Sequence, residues 1–271
     1  MIRQAIIPLA GLGTRLLPLT SVFPKELLPI NGKPGIEYIL DECIEAGIKE
    51  VIFIISNKKK MIKKYFTNCK LLKKTIKKKK DKRLINYYNK ILKYNKMIKF
   101  VYQNQPKGTG DAVLKTKNLI KDNYFLMLLP DDLILKKNCS KDMISLHKKK
   151  NCSVMASMLV NKKTVNRWGI YSKGKKIDKS NFYIEDVIEK PELKLAPSRN
   201  AVIGRYILPK KIFYKLRKQK KGKNGEIHIT DSIRTLINEG DKFIGHTFQG
   251  KYLDCGTMEG YLNSSLEISK I

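Results

Sequence analysis

The residues best suited to chemistry in this chain are those that handle phosphate. The stretch AGLGTRLLP (10–18) directly follows an apolar run, Ala5 to Leu9. Glycines let a backbone approach a phosphate closely and offer bare N–H donors. Arg15 adds a forked cation, and Lys25, in PKELLP, a point charge. The loop is neither of the two familiar phosphate loops. A dinucleotide fingerprint needs a third glycine where Leu16 stands, and an acid after the second strand, which here ends IISNKKK. A P-loop needs Gly-Lys-Ser/Thr, whereas Gly13 is followed by Thr14-Arg15. On residue types alone an ordinary tight turn stays open beside a phosphate loop.

Two carboxylates, Asp131 and Asp132, close the apolar run YFLMLLP (124–130). Either reads as a helix N-cap, a role that suits Asp132 better. An aspartate at the carboxyl end of a buried strand is also where ligands meet α/β sheets. Glu189-Lys190-Pro191 reads as a surface turn or as a charged contact. His147, His228 and His246 are scattered, with neither a metal-binding nor a triad spacing, and no chemistry is assigned to them. The five cysteines lie far apart without a CxxC pair, which predicts reduced, scattered thiols and excludes a structural zinc pattern.

The elements that must position these residues alternate between strand and helix signals. Gln4 to Leu9 and VIFII (51–55) read as buried strands. Between them PGIEYILDECIEAG (34–47) reads as a helix, with Pro34 in its first turn, Gly47 at its end, and Ile36, Ile39, Leu40, Cys43 and Ile44 on one stripe. Such a βαβ unit predicts parallel pairing. Further strands are expected at 98–103, 124–130, 152–160, 201–209 and 242–248. Helices are expected at 109–120, 209–219, 230–239 and 257–268. The lysine-rich 58–97 segment reads as a solvated helical arm, and 162–200 as irregular. With no repeat and no linker, the 271 residues form one α/β domain.

Composition narrows the function classes. The chain is 42% hydrophobic, enough for a sizeable core, and has no run of about 18 apolar residues able to span a membrane. The short apolar N-terminal run ends in the glycine loop, not at a small-residue cleavage site, so a cytoplasmic location is expected. The formal charge of +32 invites a nucleic-acid reading, but only eight of the 56 basic residues are arginine, the better side chain for bidentate phosphate and base contacts. A surplus of Lys, Asn and Ile instead predicts solvated faces drifting to lysine, with no specific nucleic-acid partner.

AGLGTRLLP followed by PKELLPI resembles the start of the sugar-1-phosphate nucleotidylyltransferases. DECIEAGI (41–48), KGTGDAV (107–113), LPDD (129–132), EKP (189–191), AVIGRYIL (201–208), GEIHITDSI (225–233) and DCGT (254–257) follow in the order typical of its bacterial-type UTP–glucose-1-phosphate uridylyltransferase branch. The resemblance covers nearly the whole chain. It implies a single Rossmann-like domain with a mixed, mostly parallel sheet flanked by helices, its nucleotide part at about 1–135 and its sugar part at about 136–271. It implies transfer of a uridylyl group from UTP to glucose 1-phosphate, giving UDP-glucose and pyrophosphate with Mg²⁺. By the same resemblance Ala10, Gly11, Leu12, Gly13 and Thr14 hold the nucleotide's phosphates with Arg15, and Lys25 stands beside them. Gln103 and the backbone at Gly108 read the uracil edge, Asp131 and Asp254 bind the metal, Gly169 and Glu189 hold glucose hydroxyls, and Lys190 contacts the sugar phosphate. Asp111 departs from the family, standing where it often carries His. Use of dTTP or another sugar phosphate is the nearest alternative, although the extra glycine and serine of the thymidylyl loop are missing here. A homo-oligomer stays open.

Overall fold

The computed structural model describes residues 1–222 and 225–270. The chain enters through β1 (Gln4–Pro8), whose first four residues are buried, as the centre of a sheet covered on both faces requires. Past the glycine loop, a small hairpin of β2 (Pro29–Ile30) and β3 (Lys33–Pro34) leads into α1 (Gly35–Glu45), which buries Ile36, Ile39, Leu40 and Cys43. β4 (Glu50–Ile55) then returns parallel to β1. Helices α2 (Lys60–Thr67), α3 (Lys70–Lys79) and α4 (Lys82–Met97) follow, and β5 (Ile98–Tyr102) pairs parallel with β4. Next come α5 (Thr109–Leu114), β6 (Tyr124–Leu128), β7 (Asp132–Leu135), α6 (Cys139–Lys150) and β8 (Ser153–Leu159). The hairpin β9 (Gly169–Lys176) and β10 (Asn181–Glu189) precedes β11 (Asn200–Pro209), α7 (Ile212–Lys218) and α8 (Ile229–Asn238). The chain closes with β12 (Phe243–Thr247), β13 (Lys251–Asp254) and α9 (Met258–Ser269).

Nine strands form one sheet in the order β5-β4-β1-β6-β11-β8-β12-β10-β9. Side chains alternate across it. Ile7, Val51 and Phe53 pack under α1, α2 and α4, whereas Ile6, Ile52 and Ile54 face α5, α7 and α8. β1, β4, β5 and β6 run parallel, so their carboxyl ends open on one edge. The glycine loop after β1, the Gln103–Gly108 segment after β5 and the Asp131 loop after β6 all leave from that edge, where ligands enter such sheets.

Several expectations need correction. Parallel pairing is not the majority: four of the eight neighbouring pairs are parallel, because the second half of the chain adds its strands largely as antiparallel neighbours. The 162–200 segment is not irregular. It contains β9 and β10, whose two-residue alternation is masked by register shifts between Phe182 and Asp186. The helix expected at 109–120 stops at Leu114 and continues as turns. Asp132 caps no helix but begins β7, which pairs with β13. The 58–97 segment is only partly a solvated arm. α3 buries nothing, but α2 and α4 bury Ile62, Phe66, Ile91 and Tyr94 against the sheet.

Candidate active site

The three loops meet in a cleft of about 650 Å³ whose wall includes Ala10 to Arg15, Lys25, Gln103, Gly108, Asp131, Glu189 and Lys190. A narrower hollow continues from it past Arg167, Trp168, Gly169, Tyr252 and Asp254, sharing Arg15, Leu129, Asp131, Glu189 and Tyr206 with the first. All the residues expected in the site therefore line one connected depression.

The glycine loop is shaped by Gly13, whose φ of +70° is a left-handed conformation that side chains rarely adopt. Its carbonyl accepts a 2.8 Å bond from the Thr20 hydroxyl, which closes the loop on itself. Leu16 is buried and anchors the next turn, while the Arg15 side chain stays largely exposed at the cleft mouth. Lys25 is held more tightly. Its Nζ donates to Asp131 Oδ2 at 2.6 Å, and Arg15 approaches the same oxygen at 3.5 Å. Burial opposes the Lys25 charge, but Asp131 and Glu26 outweigh it and hold the ammonium above its ordinary pKa. Burial likewise pushes Asp131 up, yet Lys25 and Arg15 bring it below the usual carboxylate range. Asp132, buried beside that charge, is pushed up.

A second buried pair lies behind Lys25. Lys59 donates to both oxygens of Glu26, at 2.7 and 2.9 Å. Burial lowers the Lys59 pKa despite that partner. Sequence reasoning assigned no role to either residue, since each reads as one more charge in a lysine-rich chain.

The Asp131 loop is clamped from below. Arg205, fully buried on β11, makes a two-pronged pair with Glu42 of α1 at 2.9 and 2.7 Å. The same guanidinium donates to the carbonyls of Leu129, Gly204 and Asp132. Asp132 itself accepts from the Gly204 N–H at 2.8 Å and the Tyr252 hydroxyl at 2.6 Å. Gly204 must be glycine, for a Cβ there would lie 2.4 Å from Asp132 Oδ2. This clamp was missed in the sequence. Its signal was an arginine inside the apolar run AVIGRYIL, because a charged side chain in a buried strand needs a dedicated partner.

Asp254 is brought to Asp131 by strand pairing. β13 aligns Asp254 opposite Asp132, and the Cys255 N–H donates to the Asp131 carbonyl at 2.8 Å. A Cβ added to Gly256 would lie 2.8 Å from Asp131 Oδ2 and 3.0 Å from Asp254 Oδ1. Arg15 Nη2 would lie 2.9 Å from the same Cβ, so glycine keeps open a space between two hard oxygen donors that the Arg15 guanidinium also borders. Among the described residues no cluster of three or more His, Cys, Asp or Glu side chains is arranged to enclose a metal. Two carboxylates and an open side suit a cation such as Mg²⁺, which completes its shell with water and substrate phosphate. Arg167 stands 3.8 Å from the outer oxygen of Asp254.

On the opposite wall Gly169 and Glu189 face each other across the β9–β10 hairpin. A Cβ at Gly169 would lie 3.3 Å from the Glu189 carboxylate and 3.0 Å from Val202. Thr230 donates to Glu189 Oε2 at 2.8 Å. Lys190 adopts φ +45°, an uncommon conformation for a side-chain-bearing residue, at the turn that ends β10. Its N–H donates to the Trp168 carbonyl at 3.0 Å, and its ammonium stays exposed. Of the histidines, His228 does reach the cleft wall. The cysteines are unpaired, as expected.

The end of the cleft beyond the glycine loop is built on Gly108, whose φ is +95° and whose missing Cβ would lie 2.5 Å from the Ile227 carbonyl. Gln103 is buried at the end of β5 and donates to Asp111 Oδ2 at 2.6 Å.

The chain matches the nucleotidyl transferase family model over residues 4–271. It is 37% identical over 268 residues to a putative UTP–glucose-1-phosphate uridylyltransferase of Methanocaldococcus jannaschii, covering 99% of this chain and 93% of that one. It is 35% identical to the UTP–glucose-1-phosphate uridylyltransferase of Bacillus subtilis, covering 99% and 91%. Among solved structures, it superposes with a TM-score of 0.88 on a UDP-glucose pyrophosphorylase complexed with UDP-glucose, at 36% identity over 100% of this chain and 99% of the other. The UTP-bound enzyme of Acinetobacter baumannii also gives 0.88, at 33% identity over 99% and 93%. No described helix is long and apolar enough to cross a membrane.

Proposed function

The chain belongs to the nucleotidyl transferase family, and on that premise we propose that it transfers a uridylyl group from UTP to glucose 1-phosphate, giving UDP-glucose and pyrophosphate. The observation that carries the proposal is the single cleft in which Ala10 to Arg15, Lys25, Gln103 and Asp131 converge with Glu189 and Lys190. Such a cleft accommodates a triphosphate and a sugar phosphate side by side.

The nucleophile is a phosphate oxygen of the sugar phosphate, attacking the α-phosphorus in line. A phosphomonoester is already largely dianionic near pH 7, since its second pKa is about 6. No general base is required, and among the described residues no histidine is hydrogen-bonded to a nucleophilic side chain. The obstacle is charge, because two anions must meet and pyrophosphate must leave. The backbone of Ala10 to Thr14 cradles the triphosphate, and Arg15 spreads its guanidinium over the phosphate oxygens. Lys25 keeps its charge at the reacting centre because Asp131 and Glu26 sustain it. Lys190 holds the sugar phosphate, while Gly169 and Glu189 orient the glucose hydroxyls. Asp131 and Asp254 would hold a Mg²⁺ ion, which when bound supplies positive charge to the phosphate oxygens. Fixed charges aimed at developing charge in a partly dry cleft are the main source of rate in such a reaction.

Pyrophosphate release from the purified protein, with UTP and glucose 1-phosphate each omitted in turn, is the direct test. Release should require both. A panel of nucleoside triphosphates and sugar 1-phosphates then separates uridylyl from thymidylyl transfer. Release that persists without the sugar phosphate, or that prefers another nucleotide or sugar, would overturn the assignment.

A further inference from the structure

The nucleotide end of the cleft contains an anchor for the base-reading side chain. Gln103 is buried, with 4% of its surface exposed, and its amide could point either of its two ends at a base. A glutamine amide carries two N–H donors on one end and an acceptor on the other. Turned over, it would match the complementary hydrogen-bond pattern. What decides its direction here is Asp111, in the first turn of α5. Its carboxylate can only accept, and it lies 2.6 Å from Gln103 Nε2. The Gly108 carbonyl, a second acceptor, lies at 3.4 Å on the same side. Both neighbours call for a donor, so the –NH₂ end is turned toward them. The acceptor Oε1 takes no hydrogen bond among the described residues and is the end left for a ligand.

We propose that Asp111 is a specificity-determining positioning residue: it fixes the Gln103 amide so that the cleft accepts the N3–H donor of uracil and rejects cytosine. Cytosine presents a bare lone pair at N3, which would face Oε1 acceptor to acceptor. Thymine shares the uracil edge, so the device sorts uracil and thymine from cytosine and does not separate the first two. Asp111 stands behind the cleft lining to which Gln103 and Gly108 belong, and so acts through Gln103. The surroundings hold it in place: Gly108 and Gly110 leave no room for side chains against Ile227, and the Gly110 N–H donates to the Ile227 carbonyl at 2.7 Å. The inference rests on uridine nucleotide being the ligand of this cleft.

The test separates that premise from the inference. Affinities for UDP, CDP and N3-methyl-UDP are measured by calorimetry on the unaltered protein and on Asp111→Asn, a near-isosteric change that leaves an amide able to accept or donate. The unaltered protein should bind UDP at least about tenfold more tightly than CDP or N3-methyl-UDP, the scale of one well-made base contact. In Asp111→Asn the UDP:CDP ratio should fall about tenfold, because the long 3.4 Å contact to the Gly108 carbonyl is then the main hold on the –NH₂ end. With saturating UTP, kcat should change little while KM for UTP rises. Equal affinity of the unaltered protein for UDP and CDP would overturn the inference, as would an unchanged UDP:CDP ratio in the folded variant. Failure of both nucleotides to bind would instead remove the uridylyl premise.

Discussion

At the residue scale the site is a balance of charges around Asp131. Lys25 and Arg15 converge on one of its oxygens, and the Gly256 cradle leads from that same oxygen to Asp254. Asp131→Asn should therefore keep nucleotide affinity within a few-fold but lower turnover by roughly 10²–10³, the usual loss for one charge-stabilising contact. Steady-state kinetics with and without added Mg²⁺ decide it, and activity within about threefold of the parent would exclude Asp131 from metal binding. Lys25 and Lys190 stand on different walls, one at the glycine-loop side and one at the end of β10. Lys25→Ala should chiefly raise KM for UTP, and Lys190→Ala that for glucose 1-phosphate. The reverse pattern would mean that their assignments are exchanged.

At the element scale the Asp131 loop depends on a joint between α1 and β11. Arg205 ties Glu42 to three carbonyls of the Leu129–Asp132 and Gly204 segments, and the buried Ser140 donates to the same Glu42 carboxylate. Burial disfavours the guanidinium charge, but Glu42 outweighs it and holds its pKa above the ordinary value. Removing one partner leaves the other charge buried and unpaired, a loss of about 3–5 kcal/mol. Glu42→Ala should show that loss in urea unfolding, with a lower midpoint at unchanged slope. Turnover should fall further than the folded fraction accounts for, because the Asp131 loop loses its clamp. A variant as stable as its parent would mean that the pair contributes nothing net.

At the scale of the whole molecule the question is what a formal charge of +32 does. α3 buries no residue and carries Lys77, Lys78 and Lys79 in its last turn, with Lys80 just beyond. None of these lysines lines the cleft. Substitutions on such a face usually change stability by within about 0.5 kcal/mol, and salt at physiological strength screens its field beyond about 8 Å. Replacing all four lysines with glutamine should leave UDP-glucose synthesis nearly intact while shortening retention on heparin resin. Loss of turnover in a variant with a normal circular dichroism spectrum would make the run part of the active machinery.

What the sequence determined by itself was the local grammar: the βαβ opening, the apolar stripe of α1, the glycine loop and the acid after β6. Each is a short-range pattern, so periodicity and residue type suffice to find it. The strands β9 and β10 escaped because bulges disturb their alternation, and the burial of α4, though not its helicity, escaped because lysines on its outer face conceal Ile91 and Tyr94 beneath. What only the tertiary structure decided is which distant charges become partners. Arg205 and Glu42 are 163 residues apart, and Lys25 and Asp131 are 106 apart. Nothing in either neighbourhood names the other. The pairing follows from β1 and β6 lying side by side and from α1 packing on α6, which lies against β11, and burial then makes each ionic group require a partner it would not need in water. Likewise Asp111 reads in sequence as a departure from a family pattern. Only the fold turns it toward Gln103, where one carboxylate holds the donor end of the amide.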